Sequence, residues 1–169
     1  MDFLEFFASL APEGESALIV KQRPSKVKGV EGYTWPPFLP EKYRAGGAWY
    51  GNTGSFILDR MTGGLSASAA NCTHATFLAV DDVGTKSKIP PLAPTWRMET
   101  SPGNFQYGYA FSEQPSCGEF TAAIKAIAEA GYTDGGATNP VRNFRLPGSI
   151  NLKPGREAWA SVLVEFEPA

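Results

Sequence analysis

Phe77-Leu-Ala-Val-Asp-Asp-Val-Gly-Thr-Lys86 is an apolar run that ends in two carboxylates and then turns through a glycine into a lysine. The pattern predicts a buried strand that carries Asp81 and Asp82 at its C-terminal tip. Adjacent carboxylates repel each other, and a hard divalent cation such as magnesium relieves that repulsion. An Asp-rich turn after an ordinary strand is the alternative, because Asp and Gly are common turn formers. The stretch alone leaves both interpretations open.

A hairpin is predicted downstream of this strand. Ser101-Pro-Gly-Asn104 has proline and glycine at consecutive central positions of a turn, and it follows the strand-like segment 95–100. The next stretch, Phe105-Gln-Tyr-Gly-Tyr-Ala-Phe111, alternates aromatic with small or polar residues. Side chains on a strand alternate between faces, so Gln106 is expected opposite the aromatic face.

The rest of the chain predicts a mixture of helices and strands without regular βαβ alternation. Further elements are expected as a helix over residues 1–10, a strand over 17–21, short strands at 49–51 and 55–58 separated by a turn at 52–54, a helix capped by Ser116 and closed by Gly131, and a final strand over 159–166. This order favours an α+β fold with a mostly antiparallel sheet flanked by helices.

Length and composition predict one compact domain over residues 1–169. The 169 residues are 43% hydrophobic and 12% aromatic, which is enough for one well-buried core. The formal net charge of −2 excludes a uniformly basic surface. Contacts with nucleic acid would therefore come from local clusters of Lys and Arg.

Several classes of protein are disfavoured. The sequence contains no phosphate-binding loop of the G-x-x-x-x-G-K-S/T type, which disfavours an ATPase motor. It has no long apolar run, and its first ten residues carry acids where a signal peptide carries bases. The last two features predict a cytoplasmic protein without a membrane partner. Cys72 and Cys117 lack C-x-x-C spacing, and His74 is the only histidine. We therefore expect neither a zinc site nor a disulfide, and no Ser-His-Asp triad outside His74.

Three stretches, taken in order, resemble the archaeo-eukaryotic primase superfamily. They are the run 77–86, the segment Glu99-Thr-Ser-Pro-Gly-Asn-Phe-Gln106, and Asp134 followed by Arg142-Asn-Phe-Arg-Leu-Pro-Gly-Ser-Ile-Asn-Leu-Lys153. More narrowly, they resemble the RepB-type primase or primase-polymerase domains of phages and plasmids. The resemblance covers roughly residues 45–155, and it implies a primase-polymerase fold with an RRM-like core.

The resemblance also implies roles for individual residues. Asp81, Asp82 and Asp134 would be catalytic and would bind two divalent metals, Mg²⁺ or Mn²⁺. The implied nucleotide-binding residues are Lys86, Ser101, Asn104, Gln106, Arg142, Arg145, Asn151 and Lys153. Two metals can stabilise both the attacking 3′-hydroxyl and the leaving pyrophosphate of an in-line displacement.

This sequence departs from the family pattern at two positions. The usual first motif is Asp-x-Asp, whereas Asp81 and Asp82 are adjacent and would point to opposite faces of a regular strand. Either the strand ends or bulges at Asp81, or one aspartate is not a ligand, and we favour Asp82 as the essential one. Gln106 stands where the usual middle motif has a histidine.

The expected function is template-dependent nucleotidyl transfer by a DNA primase or primase-polymerase. Its partners would be a single-stranded DNA template, nucleoside triphosphates and a replicative helicase domain in the same or another chain. The setting would be the host cytoplasm if a phage or plasmid encodes the protein. Two alternatives stay open: a non-catalytic replication-initiation protein that binds origin or single-stranded DNA, and a general single-strand binder that uses its aromatic residues.

Overall fold

The computed structural model describes residues 1–22, 37–60, 65–135, 138–152 and 159–168. Its helices are α1 (Phe3–Ser9) and α2 (Cys117–Glu129), with short 3₁₀ turns at Pro40–Lys42 and Leu58–Arg60. Its strands are β1 (Ser16–Gln22), β2 (Pro37–Phe38), β3 (Ala48–Phe56), β4 (Cys72–Ala75), β5 (Phe77–Val83), β6 (Trp96–Ser101), β7 (Asn104–Ala110), β8 (Asn143–Arg145) and β9 (Val162–Phe166).

The strands form two antiparallel sheets, which confirms the predicted α+β class. The first sheet has the order β2-β1-β3-β4, and β8 also pairs with β3. The second has the order β5-β7-β6-β9. The chain passes from one sheet to the other at Thr76, a fully buried residue between β4 and β5. Its N–H donates to the Thr53 carbonyl in the first sheet, and its carbonyl accepts from the Phe111 N–H beside the second.

The main core combines apolar residues of both sheets with helix α1. The predicted N-terminal helix is confirmed, and Asp2 caps it through a reciprocal capping box with Glu5. Phe3 and Phe7 extend from α1 onto Trp96, Phe77 and Phe144, with ring centroids 5.4–6.4 Å apart. This cluster ties α1 to strands of both sheets.

The predicted hairpin is confirmed as β6 and β7. Gly103 adopts a positive φ of 70° at the turn, a conformation that favours glycine. Gly108 has a different role, since a Cβ there would lie 1.9 Å from Cε2 of the buried Trp96 ring. The small face of β7 is therefore what lets Trp96 pack flat on the strand.

The prediction of a turn at residues 52–54 was wrong, because β3 runs without interruption from Ala48 to Phe56. Asn52 and Thr53 are buried polar residues whose side chains bond to the 140–143 segment instead of forming a turn. A Cβ at Gly51 would lie 2.2 Å from the Phe144 ring. The turn-like composition thus reflects close packing against β8.

Helix α2 is confirmed with the predicted caps. Ser116 accepts from the Glu119 N–H while Glu119 accepts from the Ser116 N–H, and Gly131 follows with φ of 84°. Phe120 and Ile124 are its buried residues, and they pack with Ala75. The helix therefore covers the region where β4 continues into β5.

The prediction that the two cysteines are unpaired was wrong. Cys72 and Cys117 form a disulfide across a sequence separation of 45 residues. The pair joins the first residue of β4 to the first residue of α2. Spacing along the chain could not reveal it, because the proximity arises only when α2 packs beside β4.

Glu15 organises a polar cluster next to this disulfide. Its carboxylate accepts hydrogen bonds from the Ser55 and Thr73 hydroxyls, each at 2.5 Å, and contacts Nδ1 of His74 at 2.8 Å. Burial alone would raise the pKa of Glu15, but these hydrogen bonds and the nearby imidazole lower it below the usual 4.5. The loop before β1 is thereby attached to β3 and β4.

Within the described ranges, neither α1 nor α2 nor any other helix has the length and apolarity needed to cross a membrane.

Candidate functional site

A polar cleft of about 240 Å³ opens where the two sheets meet. The first sheet contributes side chains from β1, β3 and β8, and the second contributes the tips of β5, β6 and β7. The lining residues are Gln22, Tyr50, Asp81, Asp82, Thr100, Asn104, Gln106, Asn143, Arg145 and Asn151. Most of the predicted site residues therefore line the same cleft.

A β-bulge places both aspartates on the cleft. Val80 pairs with Tyr107 and Val83 pairs with Phe105, so two residues of β5 stand opposite the single residue Gln106 of β7. Asp82 adopts a left-handed conformation with φ of 57°, which is uncommon for a residue with a side chain. The bulge interrupts the strand's alternation, so neither carboxylate is directed away from the site. The structure therefore has the bulge that the sequence left open, and binding of metal by both aspartates stays a prediction.

Asp82 is held by a lysine and an asparagine. Its Oδ2 accepts from Nζ of Lys86 at 2.9 Å, and its Oδ1 accepts from Nδ2 of Asn104 at 3.1 Å. Asn104 also donates to the Thr100 hydroxyl and accepts from the Thr85 hydroxyl. The hairpin turn is therefore bonded directly to the acidic tip of β5.

Asp81 has an arginine partner. Nη2 of Arg142 lies 3.3 Å from its Oδ2, and the backbone N–H of Asp82 donates to its Oδ1. Nη1 of Arg142 donates to the Thr133 hydroxyl, which also accepts from the Asp81 N–H. The Arg142 side chain is only 14% exposed, against 32% for Asp81. Each aspartate of the cleft thus has its own cationic neighbour.

Gln106 connects the two sheets across the cleft. Its side-chain Oε1 accepts from the backbone N–H of Arg145 at 2.9 Å. A backbone N–H can only donate, so this bond determines which end of the amide is the oxygen. The carboxamide is buried, and it stands opposite the Asp81–Asp82 bulge.

Arg145 is oriented by the aromatic ring of Tyr50. The guanidinium carbon lies 4.9 Å from the ring centroid, and Nη1 donates to the Ile150 carbonyl at 3.2 Å. The Tyr50 hydroxyl donates to Oε1 of Gln22 at 2.9 Å. A buried cation therefore lines the same cleft as the two carboxylates.

The remaining predicted residues have different positions. Asn151 is buried and lines the cleft, whereas Ser101 is buried in the hairpin, opposite Asn104, and is not part of the lining. Lys86 is 81% exposed and reaches the site through Asp82. Asp134 is exposed and does not line the cleft, although its neighbour Thr133 contacts Asp81. Lys153 lies outside the described residues.

The donor set of the cleft fits a divalent cation held by few protein ligands. Magnesium is commonly bound by one or two carboxylates, with water and substrate phosphates completing its coordination. Asp81 and Asp82 provide that many. Among the described residues no group of three or more His, Cys, Asp or Glu side chains is arranged to hold a metal. The structure thus does not assemble the three-carboxylate set that includes Asp134.

Four lining residues were not predicted: Gln22, Tyr50, Thr100 and Asn143. Asn143 had a signal, since it lies two residues before Arg145 and side chains two apart on a strand share a face. Thr100 adjoins the predicted turn. Gln22 and Tyr50 had no comparable signal, because only the pairing of β1 with β3 brings them to the site.

Comparisons with known proteins agree with the fold. No protein-family model matches the chain, and no curated protein sequence matches it. Among solved structures, the chain is similar to the AEP domain of the primase-polymerase of cyanophage S-2L, with a TM-score of 0.65 and 16% sequence identity. The match covers 96% of this chain and 88% of that domain. The chain therefore has the fold of a primase-polymerase AEP domain.

Proposed function

We propose that this chain is a template-dependent nucleotidyltransferase, a DNA primase or primase-polymerase of the RepB type found in phages and plasmids. The observation that carries the proposal is the cleft itself. Within a primase-polymerase fold, a bulge turns two adjacent carboxylates toward a buried arginine and several carboxamides. Acidic groups that bind metal, placed beside donors that bind phosphate, are the combination that nucleotidyl transfer requires.

Asp81 and Asp82 would hold Mg²⁺ or Mn²⁺, which when bound stabilises the charge on the attacking and leaving oxygens. Arg145 presents a guanidinium to the phosphates of a nucleoside triphosphate, and the Tyr50 ring holds it in orientation. Asn151 offers a neutral hydrogen-bonding group for the sugar. Asn104 fixes the direction of the Asp82 carboxylate through its 3.1 Å bond.

Lys86 and Arg142 act as built-in counter-ions in this scheme. They balance Asp82 and Asp81 at 2.9 and 3.3 Å, which reduces the repulsion between adjacent carboxylates. Binding of a divalent cation would compete with these two ion pairs. Arg142 and Lys86 would then be available to the phosphates of the substrate or the template.

The direct test is a primer-synthesis and primer-extension assay on single-stranded DNA. Mg²⁺ and Mn²⁺ are each combined with ribonucleotides and with deoxyribonucleotides, and labelled products are resolved by length. We expect metal-dependent incorporation with at least one combination. Binding to the template without incorporation in any of the four combinations would contradict the proposal and favour a non-catalytic replication-initiation protein.

We also propose that the activity operates in the cytoplasm of a host cell, with a replicative helicase domain as partner in the same or another chain. Priming on single-stranded DNA needs such a source of unwound template, and this sequence has no phosphate-binding loop of the helicase type.

A further inference from the structure

Two carboxamides of the cleft have their oxygen and nitrogen ends determined by the surrounding backbone. For Gln106, the backbone N–H of Arg145 donates to Oε1 at 2.9 Å, so Nε2 is the end left to the cleft. For Asn143 the constraint is relayed through a buried neighbour, Asn52. The Gly54 N–H donates to Oδ1 of Asn52 at 2.9 Å, which makes Nδ2 of Asn52 a donor.

Asn52 passes this orientation on to Asn143. Its Nδ2 donates to the Val141 carbonyl at 3.1 Å and to Oδ1 of Asn143 at 3.0 Å. The Asn143 oxygen is thus occupied, and its NH₂ group is the end available to the cleft. Within the described part of the chain, neither Nε2 of Gln106 nor Nδ2 of Asn143 donates to a protein acceptor.

Both amide nitrogens keep some exposed surface at the cleft, although Gln106 as a whole is buried. Neither belongs to the fully buried, unsatisfied polar atoms of the described residues, and both side chains line the cleft. Asn143 and Arg145 are alternate residues of β8 on one face, and Gln106 bonds to the backbone of Arg145. Two neutral NH₂ groups and one guanidinium therefore converge on the same wall.

We propose that Asn143, oriented by Asn52, is a further ligand of the nucleotide polyphosphate, and that it forms a donor wall with Gln106 and Arg145 that binds this anion in the absence of metal. Asn143 is a ligand-binding residue in this proposal, and Asn52 is its positioning residue. The identity of the ligand rests on the proposed function, but the anion preference rests on the donor orientation alone. The counter-ions of Asp81 and Asp82 support it, because the two carboxylates facing the wall are already balanced.

Matched substitutions isolate the pocket-facing atoms. Asn143→Asp keeps the oxygen that accepts from Asn52 and replaces only the NH₂ group with a carboxylate oxygen. Gln106→Glu does the same while keeping the acceptor for the Arg145 N–H. Asn139→Asp is the control, since Asn139 is exposed, lies four residues from Asn143 and uses its side-chain oxygen to accept from the Val141 N–H. It adds the same charge outside the cleft.

The measurement is isothermal titration of each purified full chain with tripolyphosphate in EDTA, and separately with Mn²⁺ alone. We expect Asn143→Asp and Gln106→Glu each to raise the Kd for tripolyphosphate at least about tenfold, because a hydrogen bond to a charged group is replaced by like-charge repulsion. The same variants should bind Mn²⁺ more tightly than the parent chain. A defect in folding would weaken the binding of both tripolyphosphate and Mn²⁺. Thermal unfolding of each variant checks for such a defect independently.

Three results would overturn the proposal: no binding of tripolyphosphate by the parent chain, an unchanged Kd in both cleft variants, or an equal loss in Asn139→Asp. The outcomes separate this proposal from the proposed function. If Asn143→Asp and Gln106→Glu incorporate nucleotide and keep the Kd of the parent chain for tripolyphosphate, the donor wall alone is refuted. Anion binding that weakens as expected, in a chain that incorporates no nucleotide, would support the wall and refute the enzymatic proposal.

Discussion

At the scale of single residues, the left-handed backbone of Asp82 determines how its role is best tested. Asparagine tolerates a positive φ better than alanine and has nearly the same shape as aspartate. Asp82→Asn should therefore preserve the bulge while removing the negative charge. We expect nucleotide incorporation to fall at least about 100-fold, since several kcal/mol of transition-state stabilisation depends on a carboxylate-bound metal. Incorporation on primed single-stranded DNA is the readout, with circular dichroism confirming the fold.

Asp134→Asn is the companion variant. Asp134 is exposed and does not line the cleft, so its neutralisation should reduce incorporation much less than Asp82→Asn does. The two variants are compared at equal protein and metal concentration. Losses of similar size would show that Asp134 belongs to the metal site, as the family resemblance implies.

Sequence reasoning identified the cleft residues that lie in contiguous motifs. Asp81, Asp82, Asn104, Gln106, Arg145 and Asn151 all line the cleft. It assigned Lys86 and Arg142 to the nucleotide, which stays a prediction; the structure adds that they pair with Asp82 and Asp81. The type of charge can be read from sequence, but the partner of each charge in the folded chain depends on distances of a few ångströms.

At the scale of elements, close packing within the β6–β7 hairpin requires a glycine at position 108. Gly108→Ala would place a Cβ 1.9 Å from a buried Trp96 ring that has no open side to move toward. We expect a destabilisation of at least about 2 kcal/mol from overpacking. Urea unfolding monitored by tryptophan fluorescence measures it.

Gly118→Ala provides the control for that substitution. A Cβ at Gly118, in the first turn of α2, would meet only the Ser116 hydroxyl, at 4.0 Å. Alanine is favoured over glycine in helices by up to about 1 kcal/mol, so this variant should be as stable as the parent or more stable. A comparable loss in both variants would contradict the packing argument.

Glu15, in the loop before β1, should make the free energy of unfolding decrease at low pH. The lowered pKa of Glu15 means that its contribution is complete above the usual pKa of 4.5 and is lost as the pH falls through the lower folded-state value. The parent chain should therefore lose stability below about pH 4.5 more steeply than Glu15→Gln. Glu13→Gln, an exposed change in the same loop, should follow the parent. Urea midpoints measured from pH 3 to pH 7 provide the comparison, and superimposable curves for all three chains would refute it.

Local pattern predicted α1, α2 and the hairpin because their signals lie within a few residues of one another. The predicted cap at Ser116 and the predicted turn and cap glycines Gly103 and Gly131 all occupy the expected conformations. The same logic failed for 52–54, where Asn52 and Thr53 bond to the segment 140–143, some 90 residues away. Residues such as Asn and Gly can form a turn or can make close contacts within a strand, and only the tertiary structure distinguishes the two cases.

At the scale of the whole molecule, the disulfide joins β4 to the helix that packs beside it. Replacing Cys72 and Cys117 with serine would release a closed loop of about 45 residues in the unfolded chain. The loop-entropy relation predicts a loss of up to about 4 kcal/mol. Urea unfolding of the double variant is compared with that of the parent chain, with and without dithiothreitol. The reduced parent should behave like the variant, and equal stability of all samples would contradict the linkage.

The fold class followed from the order of elements, but the division into two sheets did not. The crossing at Thr76 is a single buried residue between β4 and β5, and no turn-forming residue marks it in the sequence. The cleft is assembled from residues between Gln22 and Asn151, so its composition depends on long-range pairing of β1, β3 and β8. Long-range pairing of this kind leaves little trace in local sequence.

The bond from Gln106 to the Arg145 backbone has a consequence for the thermodynamics of recognition. It fastens the two walls of the cleft to each other through a buried amide, so the spacing of the donors is established before any ligand arrives. A preorganised site spends little conformational entropy on binding. Affinity should then discriminate among ligands by length and charge, with a chain of three phosphates distinguished from one by how many donors it reaches simultaneously.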